Sequence, residues 1–303
     1  MSRQSNEGAG ALRRPEGEAP VRPVPEHRAD AELTPVYRDL KATLAVPWVG
    51  VITQAVAYYR PFFLEAWRQF QPSARSHYFE SRCDDIRLTA WEEVAGAFDI
   101  KPQCDELARL GYSENELARI RDTLDIFDYG NPKYLVLATA IQQSLCRGRR
   151  LGGGDARGRR DAMPRTPIYQ TGPIPVMVEE HHALDGLKRI YEDMKTTLRL
   201  PFVNSDYKAM ARWPSYLEIA WDAVKPHIDT APYDRIRQTV HERALAAAEG
   251  LPYEYFVDEA RAVEVGLTQD QADELMRVIS LFQWLLSGLI VNVTHFKHAL
   301  AGR

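Results

Sequence analysis

Two polar side chains stand where the chain elsewhere uses apolar ones, and together they can run a hydrolysis. Residues 198–207 present Asn204, Ser205 and Asp206 in succession after Pro201. Residues 44–52 have the same frame after Pro47, but there the three positions are Gly50, Val51 and Ile52. Asn131, likewise, stands where a later segment has Leu286. Burying a carboxylate is costly unless it is paired or used. An Asp in an apolar pocket can take a proton from a water held by an Asn, and that water can attack an electrophilic carbon, a step worth ~10²- to 10⁴-fold in rate. The competing reading of Asp206 is a helix cap, since an Asp ahead of a helical stretch commonly accepts a first-turn N–H. Asn131-Pro132 has the parallel alternative of a turn that starts a helix.

Other groups are weaker candidates. Glu179-Glu180-His181-His182 is a possible metal cluster without the spacing of known metal motifs, and a solvated helix start explains it as well. His295 and His298 share a helix face but have no evident acidic or cysteine partner. No G-x-S-x-G, P-loop or G-x-G-x-x-G pattern is present, and the glycines at 152–154 are followed by Asp-Ala-Arg rather than by a Lys-bearing helix.

The elements that must position Asp206 and Asn131 are helices. Apolar residues recur at helical spacing through Leu33, Val36, Leu40 and Leu44, and Pro47 ends that run. A second helical stretch covers about 52–70, with Pro61 marking a kink or a start. Residues 75–100 read as one or two helices burying Ile86, Leu88, Trp91, Val94 and Phe98. Ser113 and Glu116 form a capping box, a break is expected at Tyr129-Gly130-Asn131-Pro132, and an apolar helix follows from Lys133 to about Leu145. No period-2 strand pattern stands out.

The pattern then repeats. With residues 37–72 laid over 191–226 without gaps, twelve of 36 positions are identical. Thr268 and Gln271 repeat the capping box, Phe282 answers Phe127, and Leu300 answers Leu145. The expected fold is all-α, an internal duplication of two helical bundles related by a pseudo-two-fold axis. Its parts are a disordered tail (1–29), a first repeat (30–146), a flexible linker (147–175) and a second repeat (176–303). A duplicated fold supplies its own comparison: positions that only hold the fold stay alike, and positions that differ in chemistry are candidates for function. If the halves face each other, Asp206 and Asn131 converge on one cavity walled by Trp48, Val51, Tyr134, Phe202, Phe282 and Leu286, and such interfaces commonly hold small molecules.

Composition narrows the partners. The 303 residues are 45% hydrophobic and 26% charged with a net charge of −4, so bulk electrostatics gives no reason to expect nucleic acid or an anionic membrane. Three scattered cysteines, Cys83, Cys104 and Cys146, argue against a disulfide framework and fit a reducing cytoplasm. No apolar run is expected to reach the ~18 residues of a membrane span. Residues 1–25 are rich in Arg, Glu, Pro and Gly and lack the apolar segment of a secretory signal.

The run from Tyr37 to Val49, the motif Tyr129-Gly-Asn-Pro-Lys-Tyr-Leu135, and Ser205-Asp206 followed by Arg212-Trp213-Pro214 together resemble the group I 2-haloacid dehalogenases. The resemblance covers roughly residues 30–300. It implies an all-helical, cofactor-independent, usually homodimeric hydrolase that converts 2-haloalkanoic acids to 2-hydroxy acids with inversion. In it Asp206 deprotonates a water held with Asn131, and that water displaces halide without an ester intermediate. It also implies that Trp48, Val51, Tyr134, Asn204, Ser205, Phe282 and Leu286 lie in or near the substrate pocket. Members that accept both enantiomers carry Ala where this chain has Asn204, so the resemblance implies the D-specific type. Val51 departs from a bulkier aromatic of the family, which leaves the pocket's size open. Activity on both enantiomers, or a helical protein that binds a small carboxylate without turning it over, remain the alternatives.

Overall fold

The computed structural model describes residues 12–15, 19–154 and 174–301. Among them, twelve α-helices form two runs of six in the same order. The first run is α1 (Leu33–Leu44), α2 (Val51–Val56), α3 (Arg60–Ala74), α4 (His77–Ala97), α5 (Cys104–Arg109) and α6 (Glu114–Leu145). The second is α7 (Asp185–Leu198), α8 (Ser205–Met210), α9 (Pro214–Val224), α10 (Ala231–Glu249), α11 (Glu259–Glu264) and α12 (Gln269–Leu300). The one β feature among the described residues is an isolated antiparallel bridge between Leu151 and Tyr255.

The two runs match in their fastenings. Both capping boxes form, Ser113 with Glu116 and Thr268 with Gln271, each opening a 32-residue helix. α1 and α7 both end on a non-glycine residue in the left-handed region, Ala45 at φ 53° and Arg199 at φ 54°. The indole of Trp67 donates to Asp39, and that of Trp221 donates to Asp193. These parallels support the reading of a duplication.

Two local expectations give way to packing, and a third, at Pro61, is settled as a helix start. The break at residues 129–132 is absent: Pro132 lies inside the continuous α6. A proline inside a helix costs about 3 kcal/mol. Here nearly every residue from Ile126 to Leu145 is buried. α6 packs extensively against α12, and that burial outweighs the penalty. The stretch at 52–70 is two helices, with Pro61 in the first turn of α3, where its missing N–H costs nothing. In α4, Leu88 is 63% exposed and Trp91 37% exposed, so neither joins the buried side. Trp91 instead stacks on His298, with ring centroids 3.6 Å apart.

The described part of the N-terminal segment is not a loose tail. Val24 N–H donates to the Gln54 carbonyl and Tyr37 Oη donates to the Val24 carbonyl. The second run has the same pair of contacts, from Val178 to Lys208 and from Tyr191 to Val178. A short 3-10 turn follows in each, Glu26–Arg28 and Glu180–His182, and Glu26 pairs with Lys41 as Glu180 pairs with Lys195. The contacts that the two runs share thus begin near Val24 and Val178. The same contacts account for Glu179-Glu180-His181-His182 as a structural turn: Glu179 pairs with Lys208, and Glu180 accepts from the Val203 N–H. In the segment expected as a linker, residues 147–154 are pinned by the Leu151 bridge and by ion pairs from Arg149 to Glu249 and from Arg150 to Glu254. The rest of it, 155–173, lies outside the described residues, as do 1–11 of the tail.

One helix, α12, is long and apolar enough by length and composition to cross a membrane, contrary to the expectation from the sequence, and 83% of its apolar stretch is buried inside the fold.

Candidate active site

Asp206 and Asn131 meet. Asn131 Nδ2 donates to Asp206 Oδ1 at 2.6 Å, and both residues are 3% exposed. The elements explain how. α6, from the first run, packs on α8, from the second, and α12 packs on α2 in the reciprocal arrangement. Each long helix therefore crosses to the short helix of the other half. In one crossing the facing residues are Asn131 and Asp206. Their sequence counterparts on the other two helices are the buried apolar pair Leu286 and Ile52.

Asp206 does not act as the cap of α8. The N-cap is Asn204, and Asp206 lies in the first turn with its carboxylate turned onto Asn131. Burial pushes its pKa from 3.8 to about 6, while the bonds from Asn131 and from its own backbone N–H pull the other way. A buried carboxylate with one side-chain donor and a pKa near neutrality is poised as a base, not locked as a structural anion.

Of the residues expected to wall the pocket, Tyr134 is the most firmly bonded. Its hydroxyl donates to the Trp48 carbonyl at 2.8 Å and accepts the Gly50 N–H at 2.9 Å, so it fixes the turn that follows Pro47. Burial holds this phenol well above its usual pKa, so it stays protonated and keeps both bonds. Trp48 packs against Tyr134 and Phe127 at centroid distances of 5.6 and 4.9 Å. Phe282 is buried and stacks on Phe202 at 6.1 Å. Leu286 is buried one turn further along α12, and Val51 is half-buried at the start of α2. Ser205 is buried beside Asp206. Asn204 is 3% exposed, holds the N-cap position of α8 without a side-chain capping bond, and its Oδ1 has no partner among the described residues. Direct contacts join Asn131 with Asp206, Trp48 with Tyr134, and Phe202 with Phe282. Val51, Ser205, Asn204 and Leu286 are placed by their elements.

Two residues that sequence patterns did not single out shape this site. A Cβ on Gly130 would lie 2.2 Å from Trp48 Cη2, and one on Gly50 would lie 2.8 Å from the Tyr134 ring. Both glycines are needed for close approach rather than for an unusual backbone angle. The available signal was Gly130's position inside the Tyr129–Leu135 motif next to Asn131. Gly130→Ala must push Trp48 out of place. Overpacking of this kind costs about 1–3 kcal/mol, so a lower melting temperature is expected, together with a loss of turnover beyond what the unfolded fraction explains.

The family model described as "Halocarboxylic acid dehydrogenase DehI" matches residues 47–207. An (R)-2-haloacid dehalogenase of Pseudomonas putida is 61% identical over 94% of this chain and 95% of its own. An (R)-2-haloacid dehalogenase of Rhizobium sp. (strain NHG3) is 36% identical over 77% of this chain and 88% of its own. A configuration-inverting 2-haloacid dehalogenase of Pseudomonas sp. (strain 113) is 29% identical over 91% of this chain and 90% of its own. Among solved structures, a D-2-haloacid dehalogenase mutant in complex with D-2-CPA superposes with a TM-score of 0.92 at 60% identity, covering 96% of this chain and 99% of that one. With the family model spanning more than half of the chain and a 61% identical relative covering nearly all of it, this protein belongs to the halocarboxylic acid dehydrogenase DehI family.

Proposed function

We propose that this protein hydrolyses D-2-haloalkanoic acids to L-2-hydroxy acids by direct attack of an Asp206-activated water on C2. The family description says dehydrogenase while the relatives carry dehalogenase names. The chain has no G-x-G-x-x-G fingerprint for a dinucleotide, so the dehalogenase names fit it better. The observation that carries the mechanism is the buried 2.6 Å pair of Asn131 and Asp206, whose carboxyl titrates near 6. Asp206 takes a proton from the water as the new C–O bond forms at C2. The carbon–halogen bond breaks on the opposite face, and halide leaves with the electron pair. Back-side displacement of this kind inverts C2, in keeping with the configuration-inverting name of one relative. No protein atom becomes bonded to the substrate, and no metal or organic cofactor is called for. The apolar walls suit the alkyl group and a weakly hydrated halide. The chain works as a homodimer in the cytoplasm on this reading.

Asn204 supports the choice of enantiomer. It is buried two residues before the base with an unpartnered Oδ1, and on this reading its bulk fills the space that an L substituent needs. Halide release from D- and L-2-chloropropionate, assayed separately, tests this: release from the D form alone is expected. Comparable release from the L form would refute the role of Asn204, and release from neither by folded protein would refute the dehalogenase reading.

The pH profile follows from Asp206. Only the ionised carboxylate accepts a proton, and its pKa is raised to about 6. The rate should fall tenfold per pH unit below that value and level off above it. A limb centred near the ordinary carboxylate value of 3.8 would mean that the base is an exposed carboxylate and not Asp206.

A further inference from the structure

A groove of about 680 Å³ is lined by the end of α7, the turn after it, residues of α12 and the N-terminal segment. Its floor includes Leu200, Pro201 and Leu281, and the last two are next in sequence to Phe202 and Phe282, the stack expected to wall the site. Its rim carries four cations, Arg14, Lys195, Arg199 and Arg277, against one carboxylate, Glu192. Lys195 is occupied by Glu180 and Glu192, and Arg199 pairs with Asp229. Arg14 donates to the Arg199 carbonyl, and its buried Nε has no partner among the described residues. Arg277 is exposed and pairs with no carboxylate among them. This concentration of positive charge stands out on a chain whose net charge is −4.

The duplication sharpens the point. At the matching positions of the first half, Arg277 is answered by Asp122 and Arg199 by Ala45. Leu200, Pro201 and Leu281 are answered by Val46, Pro47 and Ile126, which are of the same kind. The apolar floor is thus kept in both halves. Lys195 is answered by Lys41 and Glu192 by Arg38, whereas Arg199 and Arg277 have no cationic counterpart in the first half.

We propose that this groove is the entrance for the substrate, and that Arg277, with Arg14 beside it, captures the carboxylate of a small aliphatic monocarboxylate before it passes the Phe202–Phe282 stack. This rests on the dehalogenase reading for the identity of the anion, not for the existence of the groove. A cleft lined by one sign of charge raises the local concentration of the opposite ion, commonly by tenfold or more. Arg277 is too exposed to be part of the chemistry, so its effect should fall on substrate capture and be screened by salt, since the Debye length is only about 10 Å at 0.1 M.

The test compares wild type with Arg277→Gln and Arg277→Glu, and with Arg235→Glu as a matched charge reversal at an exposed position elsewhere on α10. Steady-state kinetics with D-2-chloropropionate are measured at low and high salt. For Arg277→Glu we expect KM to rise about tenfold at low salt with kcat within twofold, a smaller rise for Arg277→Gln, no change for Arg235→Glu, and convergence of all four proteins at high salt. Calorimetric binding of D-2-chloropropionate to the same proteins in an Asp206→Asn background supplies a readout without turnover, and a tenfold loss of affinity is expected there too. Unchanged KM and affinity, or equal effects of Arg277→Glu and Arg235→Glu, would overturn the entrance. Absence of halide release from wild type alongside Arg277-dependent, salt-screened binding would overturn the dehalogenase reading and leave the entrance standing.

Discussion

Asp206→Asn is expected to abolish halide release and at the same time to stabilise the protein at neutral pH. Loss of a general base costs ~10²- to 10⁴-fold, and with no second carboxylate in bonding contact with Asn131 the residual rate should lie near the lower end. The stability effect follows from the pKa. The folded value, about 6, lies above the ordinary 3.8, so the protonated carboxyl is the form the fold favours. That contribution is complete below pH 3.8 and is lost as the pH rises through 6. Above that, holding the ionised group buried costs roughly 3 kcal/mol, two pKa units at about 1.4 kcal/mol each. Asparagine keeps an acceptor for Asn131 and carries no charge. The variant should therefore melt several degrees higher than wild type at pH 8 and at nearly the same temperature at pH 4, measured by thermal denaturation. A variant that still turns over would remove Asp206 from the chemistry. One that binds D-2-chloropropionate as before without turnover, while wild type also shows none, would favour the binding-protein alternative.

Asn131→Leu, which copies the residue at the counterpart position 286, should be nearly as damaging at neutral pH, but for a different reason. It leaves the Asp206 carboxylate buried without its one side-chain donor. A hydrogen bond to a charged group is worth about 1.5–3 kcal/mol, which moves the Asp206 pKa up by roughly one to two units. At pH 7 most of the carboxylate is then protonated, and the water has lost its second holder. The expected outcome is a drop of ~10²-fold at pH 7, with an acidic limb displaced upward and part of the loss recovered near pH 9. A profile of wild-type shape at reduced height would mean that Asn131 positions the water without tuning the base.

The pairing of Asp206 with Asn131 was legible in the sequence because its two halves can be compared. Asp206 opposite Ile52, and Asn131 opposite Leu286, stood out as polar residues at positions the other half treats as apolar. The crossing of α6 onto α8 brings the two into contact. Both capping boxes and the end of α1 were legible for a local reason: the residues that make them lie within four of each other. The misreadings have a common physical cause. Pro132 signals a break, but burial of the second half of α6 against α12 decides its course. The segment before residue 30 is rich in proline and charge, yet Val24, Glu26 and Tyr37 tie it to the body by contacts that only the fold can bring together. Leu88 and Trp91 fit the periodicity of α4, and their exposure depends on which neighbour covers which turn. Gly50 gave no signal and Gly130 only its place in the Tyr129–Leu135 motif, because their role is to leave room for Tyr134 and Trp48, and room has no sequence pattern.

The most direct measurement of the central claim is a single turnover in ¹⁸O water with enzyme in excess over D-2-chloropropionate. If an Asp206-activated water attacks C2, the first lactate formed carries one ¹⁸O in its hydroxyl, and mass analysis of the peptide containing Asp206 finds no label. If the first product is unlabelled and the Asp206 carboxylate gains ¹⁸O, the carboxylate itself attacks through an ester, and the assignment of Asp206 as a base on water is wrong.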